Sequence, residues 1–147
     1  MSNSFSAWEP NILVVGAGTA GLAITCALGR AGFYVELFDG NDTPSPYQMS
    51  DSIDSWDLRV SALTPSSVRF LEELGAWNFI ADSRMESYSS MHVWDSKGTG
   101  RIDFSADEIG VASLGCIVEN RLTQAALLAS IKRFPNVRVN WQSRLSD

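Results

Sequence analysis

Gly16-Ala17-Gly18-Thr19-Ala20-Gly21 fits the spacing G-x-G-x-x-G, and an acid, Asp39, follows 18 residues after Gly21 (39 − 21). Together these residue types suit one task, the holding of a dinucleotide. Gly16 allows a sharp turn where a side chain would clash. Gly18 lets the main chain approach a pyrophosphate, and Gly21 lets the following helix pack closely on a sheet. The free N–H groups of the first helical turn then face the phosphate, with the helix dipole adding roughly half a positive charge there. Gly16, Ala17, Gly18, Ala20 and Gly21 are therefore the expected cofactor-binding loop. Asp39 is placed to accept hydrogen bonds from both hydroxyls of an adenosine ribose. That role needs a free 2′-hydroxyl, so the acid disfavours a 2′-phosphate and hence NADP.

The elements that must position these residues are legible around them. Ile12 to Val15 is a continuous apolar run, as expected of a strand buried on both faces of a parallel sheet. Leu22, Ala23, Cys26, Ala27 and Leu28 are spaced for one face of a helix that Gly32 can stop. Tyr34 to Phe38 reads as a second strand, so residues 11–40 form a βαβ unit. A loop rich in Asp, Ser and Pro runs from Gly40 to about Trp56. Thr64-Pro65 opens a helix with the stripe Val68, Leu71 and Leu74, closed by Gly75. Met91 to Trp94 and Ile102 to Phe104 read as strands joined by Ser96 to Gly100, which has hairpin chemistry. Leu114 to Val118 is a further strand. Asn120 is placed to cap a helix through Leu122, Ala125, Ala126 and Leu128 to about Phe134, before Pro135. Val137, Val139 and Trp141 alternate with polar residues, as in a half-exposed strand. The expected fold is α/β: a Rossmann-like βαβ with a parallel sheet, additional helices and a small β-hairpin. Residues 1–10 are expected to be a disordered tail.

Other chemistries find little support. His92 is the sole histidine and reads as structural; no Ser-His-Asp or Cys-His set is evident, and no catalytic residue is assigned. Cys26 and Cys116 lie among apolar neighbours, 90 positions apart (116 − 26), without disulfide or metal spacing. They read as buried free thiols in a reducing, cytoplasmic compartment. MSNSFSAWEP has neither the charged start nor the apolar core of a secretory signal. The uncharged stretch from Asn11 to Gly29 has the length of a membrane span, but four glycines and two threonines interrupt it. Eleven basic against seventeen acidic residues give a net charge of −6, and the pI is near 4.7. Such a chain is a poor partner for nucleic acid. Lys132, Arg133, Arg138 and Arg144 read as a solvated face. A chain of 147 residues is one domain or part of one.

The glycine loop continues as G-x-G-x-x-G-L, then Gly32, Val35 and Asp39. This extended pattern resembles the amino-terminal end of FAD-dependent aromatic hydroxylases of the para-hydroxybenzoate hydroxylase type. Asp57-Leu-Arg59-Val-Ser-Ala-Leu63 is similar to the D-x-R-V/T-x-A-L/F segment of their ubiquinone-biosynthesis branch. Further matches follow in order: Ser67, Leu71 and Leu74-Gly75-Ala-Trp77; Met91-His-Val-Trp94-Asp95; and Leu114-Gly-Cys-Ile-Val-Glu119-Asn120. The match runs from Asn11 to about Trp141.

The resemblance implies an FAD enzyme, reduced by NADH or NADPH, that uses oxygen to hydroxylate a small aromatic substrate, here a polyprenyl phenol. It implies that Arg59 approaches the flavin nucleotide, the alternative being an ion pair with Asp54 or Asp57. Asn120 falls near the cofactor where many relatives carry an arginine, and Glu119 is read as a helix cap. Trp56, Trp77 and Trp94 are expected in the core. A greasy substrate implies contact with a membrane surface or a biosynthetic complex, although no residue of this chain shows it. Two later family motifs, Ala-Asp-Gly and Gly-Asp, do not occur here. Residues 1–147 are thus expected to be the amino-terminal part of an FAD-binding domain, unable to hydroxylate alone. Two other readings stand beside this one: a small NAD-binding Rossmann oxidoreductase, which would need a motif such as Tyr-x-x-x-Lys that the chain lacks, and a non-catalytic nucleotide-binding module.

Overall fold

The computed structural model describes residues 9–48, 55–81 and 83–144. The expectation for the 1–10 tail therefore falls almost wholly outside the described residues. The chain divides into two compact units, Met1–Pro46 with Leu127–Asp147, and Tyr47–Ala126.

The first unit is built on a parallel sheet in the order β1-β2-β8. Its strands are β1 (Ile12–Val15), β2 (Val35–Phe38) and β8 (Val137–Asn140). Helix α1 (Thr19–Arg30) connects the first two and completes the expected βαβ unit. Registers Ile12↔Val35↔Val137 and Val14↔Leu37↔Val139 place six apolar side chains on one face. Val35 and Leu37 are fully buried, as are Leu22 and Cys26 of α1 and Leu127. Helix α1 ends where Gly32 adopts φ +90°, with Gly32 N–H donating to the Gly29 carbonyl and Phe33 N–H to Leu28. Gly29 is required for a different reason: a Cβ there would lie 2.5 Å from Val137 Cγ2.

One expectation fails in this sheet. Among the described residues β1 is an edge strand covered on one face only, and Leu13 and Val15 are 61 % and 59 % exposed. They share the uncovered face with Glu36, Phe38, Arg138 and Asn140, where Asn140 Nδ2 donates to Glu36 Oε1 at 3.0 Å. A continuous apolar run does not tell a doubly buried strand from one whose second face is left open.

The second unit holds an antiparallel sheet in the order β3-β7-β4, from β3 (Val60–Leu63), β4 (Met85–Tyr88) and β7 (Gly115–Glu119). It also holds the hairpin of β5 (Ser90–Trp94) and β6 (Arg101–Ser105) and a short 3-10 turn at Asp107–Ile109. Helix α2 (Pro65–Glu73) starts as expected, with Thr64 Oγ1 accepting from Ser67 N–H, and closes at Gly75 with φ +69°. Its Leu71 is buried, as are Leu74 beyond its end and Ile80 of the short α3 (Trp77–Ala81). Helix α4 (Asn120–Ile131) stops three residues before the expected end and contributes to both units. The strands β3 and β4 and helix α3 had no clear sequence period. Trp56 and Trp94 are not core: they are 57 % and 71 % exposed, and Trp56 instead lies under the Arg84 guanidinium, 5.0 Å from ring centre to Cζ. Trp77 is half-buried.

Candidate dinucleotide site

The glycine loop joins the carboxyl end of β1 to the start of α1, where open α/β sheets take their ligands. Each of its three glycines faces a different constraint. Gly16 sits at φ +96°, a region that side-chain-bearing residues avoid. At Gly21 an added Cβ would lie 1.8 Å from the Gly16 carbonyl oxygen, so the first turn of α1 closes onto the loop only without a side chain. Gly18 has an ordinary backbone, φ −68° and ψ 175°, and a Cβ there would meet nothing within 4 Å. The fold makes no demand for glycine at position 18, and the space beside it is open.

That space borders an unshielded helix end. The first helical bond of α1 runs from Leu22 N–H to the Gly18 carbonyl at 2.9 Å, so the N–H groups of Thr19, Ala20 and Gly21 precede it. Among the described residues no side chain caps α1, and its first turn holds no acidic residue. Helix α2, by contrast, is capped by Thr64. Gly18, Thr19 and Ala20 are exposed. An uncapped N-terminus with bare residues around it is a ready anion site.

Asp39 is brought to the same loop. It follows β2 and is only 8 % exposed. Its Oδ2 accepts from Ala17 N–H at 2.6 Å and its Oδ1 from Asn41 N–H at 2.8 Å. These two bonds, the Ala17 one foremost, hold its carboxyl below the usual range. The acid is therefore ionised at neutral pH. A carboxylate offers roughly four lone-pair positions, and two are engaged here, which leaves capacity for a vicinal diol. Ala17 is buried with its N–H given to Asp39, so in this arrangement it fixes the loop rather than facing a ligand.

Arg59 and Asn120 belong to the second unit, where they meet one another. Asn120 N–H donates to the Arg59 carbonyl at 2.9 Å. The Asn120 side chain does not cap α4; its Oδ1 accepts from Ser61 Oγ at 2.7 Å. Arg59 is exposed, and its expected alternative partner Asp57 is occupied elsewhere. Asp57 accepts from the N–H groups of Arg59 and Arg121 and lies 3.5 Å from Arg121 Nε. Asp54 lies outside the described residues. Asp57 thereby supplies the helix-end contact that the sequence had suggested for Asn120 and Glu119.

Glu119 is instead the centre of a buried polar cluster that sequence reasoning missed. It is 4 % exposed and accepts from Arg84 Nη1 at 3.3 Å and from Asp57 N–H at 3.1 Å. Arg84 also donates to Ser55 Oγ at 2.7 Å. The cluster ties the segment before β3, which carries Arg59, to β4 and β7. Tyr47 also feels it: burial first and the Glu119 charge second raise its phenol. Glu119 stood in a quoted motif, but Arg84 lies in no pattern, so the pairing had no signal in sequence.

His92 lies on β5 as expected, exposed and hydrogen-bonded to Asp103, which also takes Arg101. Both cysteines are buried and free. Burial pushes the Cys26 thiol up to about 11 and also raises Cys116. Among the described residues no cluster of metal-ligating side chains occurs, and no helix is long and apolar enough to cross a membrane.

Comparison with known proteins bears on the family likeness and the fold. The NAD(P)-binding Rossmann-like domain family matches residues 14–74. The 3-demethoxyubiquinol 3-hydroxylase of Escherichia coli is 32 % identical over 126 residues, 86 % of this chain and 31 % of the relative. The mitochondrial ubiquinone biosynthesis monooxygenase COQ6 of Mus musculus is 29 % identical over 139 residues, 91 % of this chain and 28 % of the relative. This chain thus spans about three-tenths of the curated relatives it matches. Among solved structures, pqsL of Pseudomonas aeruginosa, described as a probable FAD-dependent monooxygenase, superposes with a TM-score of 0.68 at 16 % identity, covering 94 % of this chain and 34 % of that one. The flavin-dependent monooxygenase PieE, solved with FAD and substrate, gives 0.61 at 18 % identity, covering 91 % and 24 %. The homologues are ubiquinone-biosynthesis hydroxylases, as the sequence motifs implied, and the fold is that of the flavin monooxygenases.

Proposed function

We propose that this chain is the FAD-binding amino-terminal portion of a monooxygenase that hydroxylates a polyprenyl phenol in ubiquinone biosynthesis. The observation that carries the reading is Gly18. It is a glycine that neither backbone strain nor packing requires, set beside the uncapped N-terminus of α1. A ligand that must approach the main chain there explains it, and a diphosphate is the ligand whose charge suits a helix N-terminus. Gly16 and Gly21 shape the turn, Gly18 and Ala20 leave it bare, and Ala17 anchors it to Asp39. The remaining lone pairs of Asp39 then take the adenosine ribose, and its negative charge opposes a 2′-phosphate. When bound, the flavin supplies the oxygen chemistry, and NADH or NADPH supplies the electrons. Arg59 and Asn120 are proposed as further contacts to the cofactor. The small aromatic substrate belongs to the same proposal on the strength of the relatives' names, a peripheral membrane or complex contact on the greasiness of a polyprenyl phenol, and a cytoplasmic setting on the two free thiols.

The test is Gly18→Val. Calorimetric titration with ADP should show binding to the parent and none to the variant, while thermal unfolding of the two coincides. Equal ADP affinity in both would overturn the cradle. Titration with FAD against NAD then separates this reading from an NAD-binding oxidoreductase: tighter binding of NAD would favour the latter.

A further inference from the structure

Arg144 is the candidate left over once the loop and Asp39 are accounted for. Its side chain lies over Gly40, the residue next to Asp39. From the position a Gly40 Cβ would occupy, Arg144 Cγ is 2.9 Å away, Nε 3.2 Å and Cδ 3.5 Å. The backbone holds it there. Asp39 N–H donates to the Asn140 carbonyl, Ser143 N–H to the Asp39 carbonyl and Gln142 N–H to the Asn41 carbonyl, each at 2.9 Å. Gln142 turns the chain at φ +53°, and its side chain is fixed on Asp42 at 2.6 Å. Arg144 is exposed, and its guanidinium has no hydrogen-bond or ion-pair partner among the described residues.

A nucleoside diphosphate has a fixed order: phosphates, ribose, base. With the diphosphate at Gly18 and the ribose on Asp39, the base must continue past Asp39, away from the glycine loop. Gly40 is the residue that follows Asp39; it bears no side chain, and Arg144 lies over it instead. We infer that Arg144 is a purine-binding residue, its planar guanidinium forming one wall for the adenine ring. The inference rests on the diphosphate reading of the glycine loop. Guanidinium planes stack on aromatic faces, whereas an ammonium offers charge without a plane.

Two probes read this in calorimetric titrations of the chain: ADP, and ribose 5-diphosphate, which lacks the base. Arg144→Ala should weaken ADP about three- to fivefold and leave ribose 5-diphosphate unchanged. Arg144→Lys should lose as much, because the charge alone does not stack. Parent-like ADP affinity in Arg144→Ala overturns the inference. So does an equal loss on both probes that Lys restores, since that places Arg144 on the phosphates. A parent chain that binds neither probe overturns the diphosphate reading itself, and Arg144 with it. Parent binding of both probes, with ADP affinity unchanged in Arg144→Ala, overturns the stacking wall alone.

Discussion

Replacing Asp39 with asparagine removes one charge and changes little else in shape, so its consequences can be worked from two bonds. The carboxylate accepts from Ala17 N–H at 2.6 Å and Asn41 N–H at 2.8 Å, in a site 8 % exposed to solvent. Asparagine has one acceptor oxygen. Whichever N–H it serves, its amide presents a donor to the other. One charge-assisted bond becomes neutral, and the second is lost against an opposed donor. A hydrogen bond to a charged group contributes about 1.5–3 kcal/mol, so Asp39→Asn should cost about 2 kcal/mol at neutral pH. For a chain of this size that is a fall of about 4–8 °C in Tm.

The pH dependence carries a sign. The folded carboxyl titrates below the unfolded one, chiefly because Ala17 N–H favours the ionised form. Its contribution is fully present above the unfolded value, about 3.9, and is lost as pH falls through the lower folded value. Asparagine does not titrate. The gap between parent and variant in urea midpoints, measured with unchanged slopes, should therefore be widest at pH 7 and close toward pH 3. No gap at pH 7 would mean that the bonds do not hold the loop. A gap of equal size at both pH values would mean that the loss has nothing to do with the ionised carboxylate.

Four further outcomes follow from the same geometry. Gly21→Ala drives a Cβ to 1.8 Å from a backbone oxygen and should cost at least about 3 kcal/mol, seen as a collapsed urea midpoint, whereas Gly18→Val should leave that midpoint in place. Glu119→Leu strands Arg84 and should cost about 3–5 kcal/mol in chemical unfolding; adding Arg84→Met should recover most of it, and additive losses in the double variant would argue against a coupled pair. Thr25 Oγ1 is buried without a hydrogen-bond partner among the described residues, so Thr25→Val should raise stability by about 1 kcal/mol, and a lower Tm would show that the hydroxyl is satisfied. Cys26, pushed up to about 11 and buried, should resist iodoacetamide at pH 8 until urea unfolds the chain; rapid labelling of native protein, read by mass spectrometry, would contradict its burial.

The sequence was most readable where one local rule decided the structure. Strand β1 and the starts of α1 and α2 lie where apolar runs, glycines and the Thr64-Pro65 pair had put them. It was least readable where the outcome turned on a distant partner. Strand β4 has no alternating pattern and exists because it pairs with β7, some thirty positions later. Glu119 looked like a helix cap because its neighbours in sequence suggested one; its true partners, Arg84 and the Asp57 N–H, come from other parts of the chain. Trp56 and Trp94 were placed in the core on residue type, yet a tryptophan can also remain exposed over a guanidinium or on a hairpin.

The glycine loop shows what structure adds even where sequence is at its clearest. A G-x-G-x-x-G string assigns three roles by analogy and gives no means of weighing them. The structure separates the roles by what each missing side chain would strike. Gly16 and Gly21 are explained by the protein alone, one by its dihedral angle and one by a carbonyl in its path. Gly18 has no explanation among the described residues, and the proposed diphosphate would account for a glycine there. The same subtraction applies to Asp39. Two of its lone pairs are explained by the loop and the turn it braces, and only what remains is available to a ribose. This is why Gly18 and Asp39 should behave differently under mutation: on the proposed reading the first is dispensable for folding and needed for the ligand, whereas the second serves both, so a loss of nucleotide binding at Asp39 counts as ribose recognition only after its effect on stability has been measured.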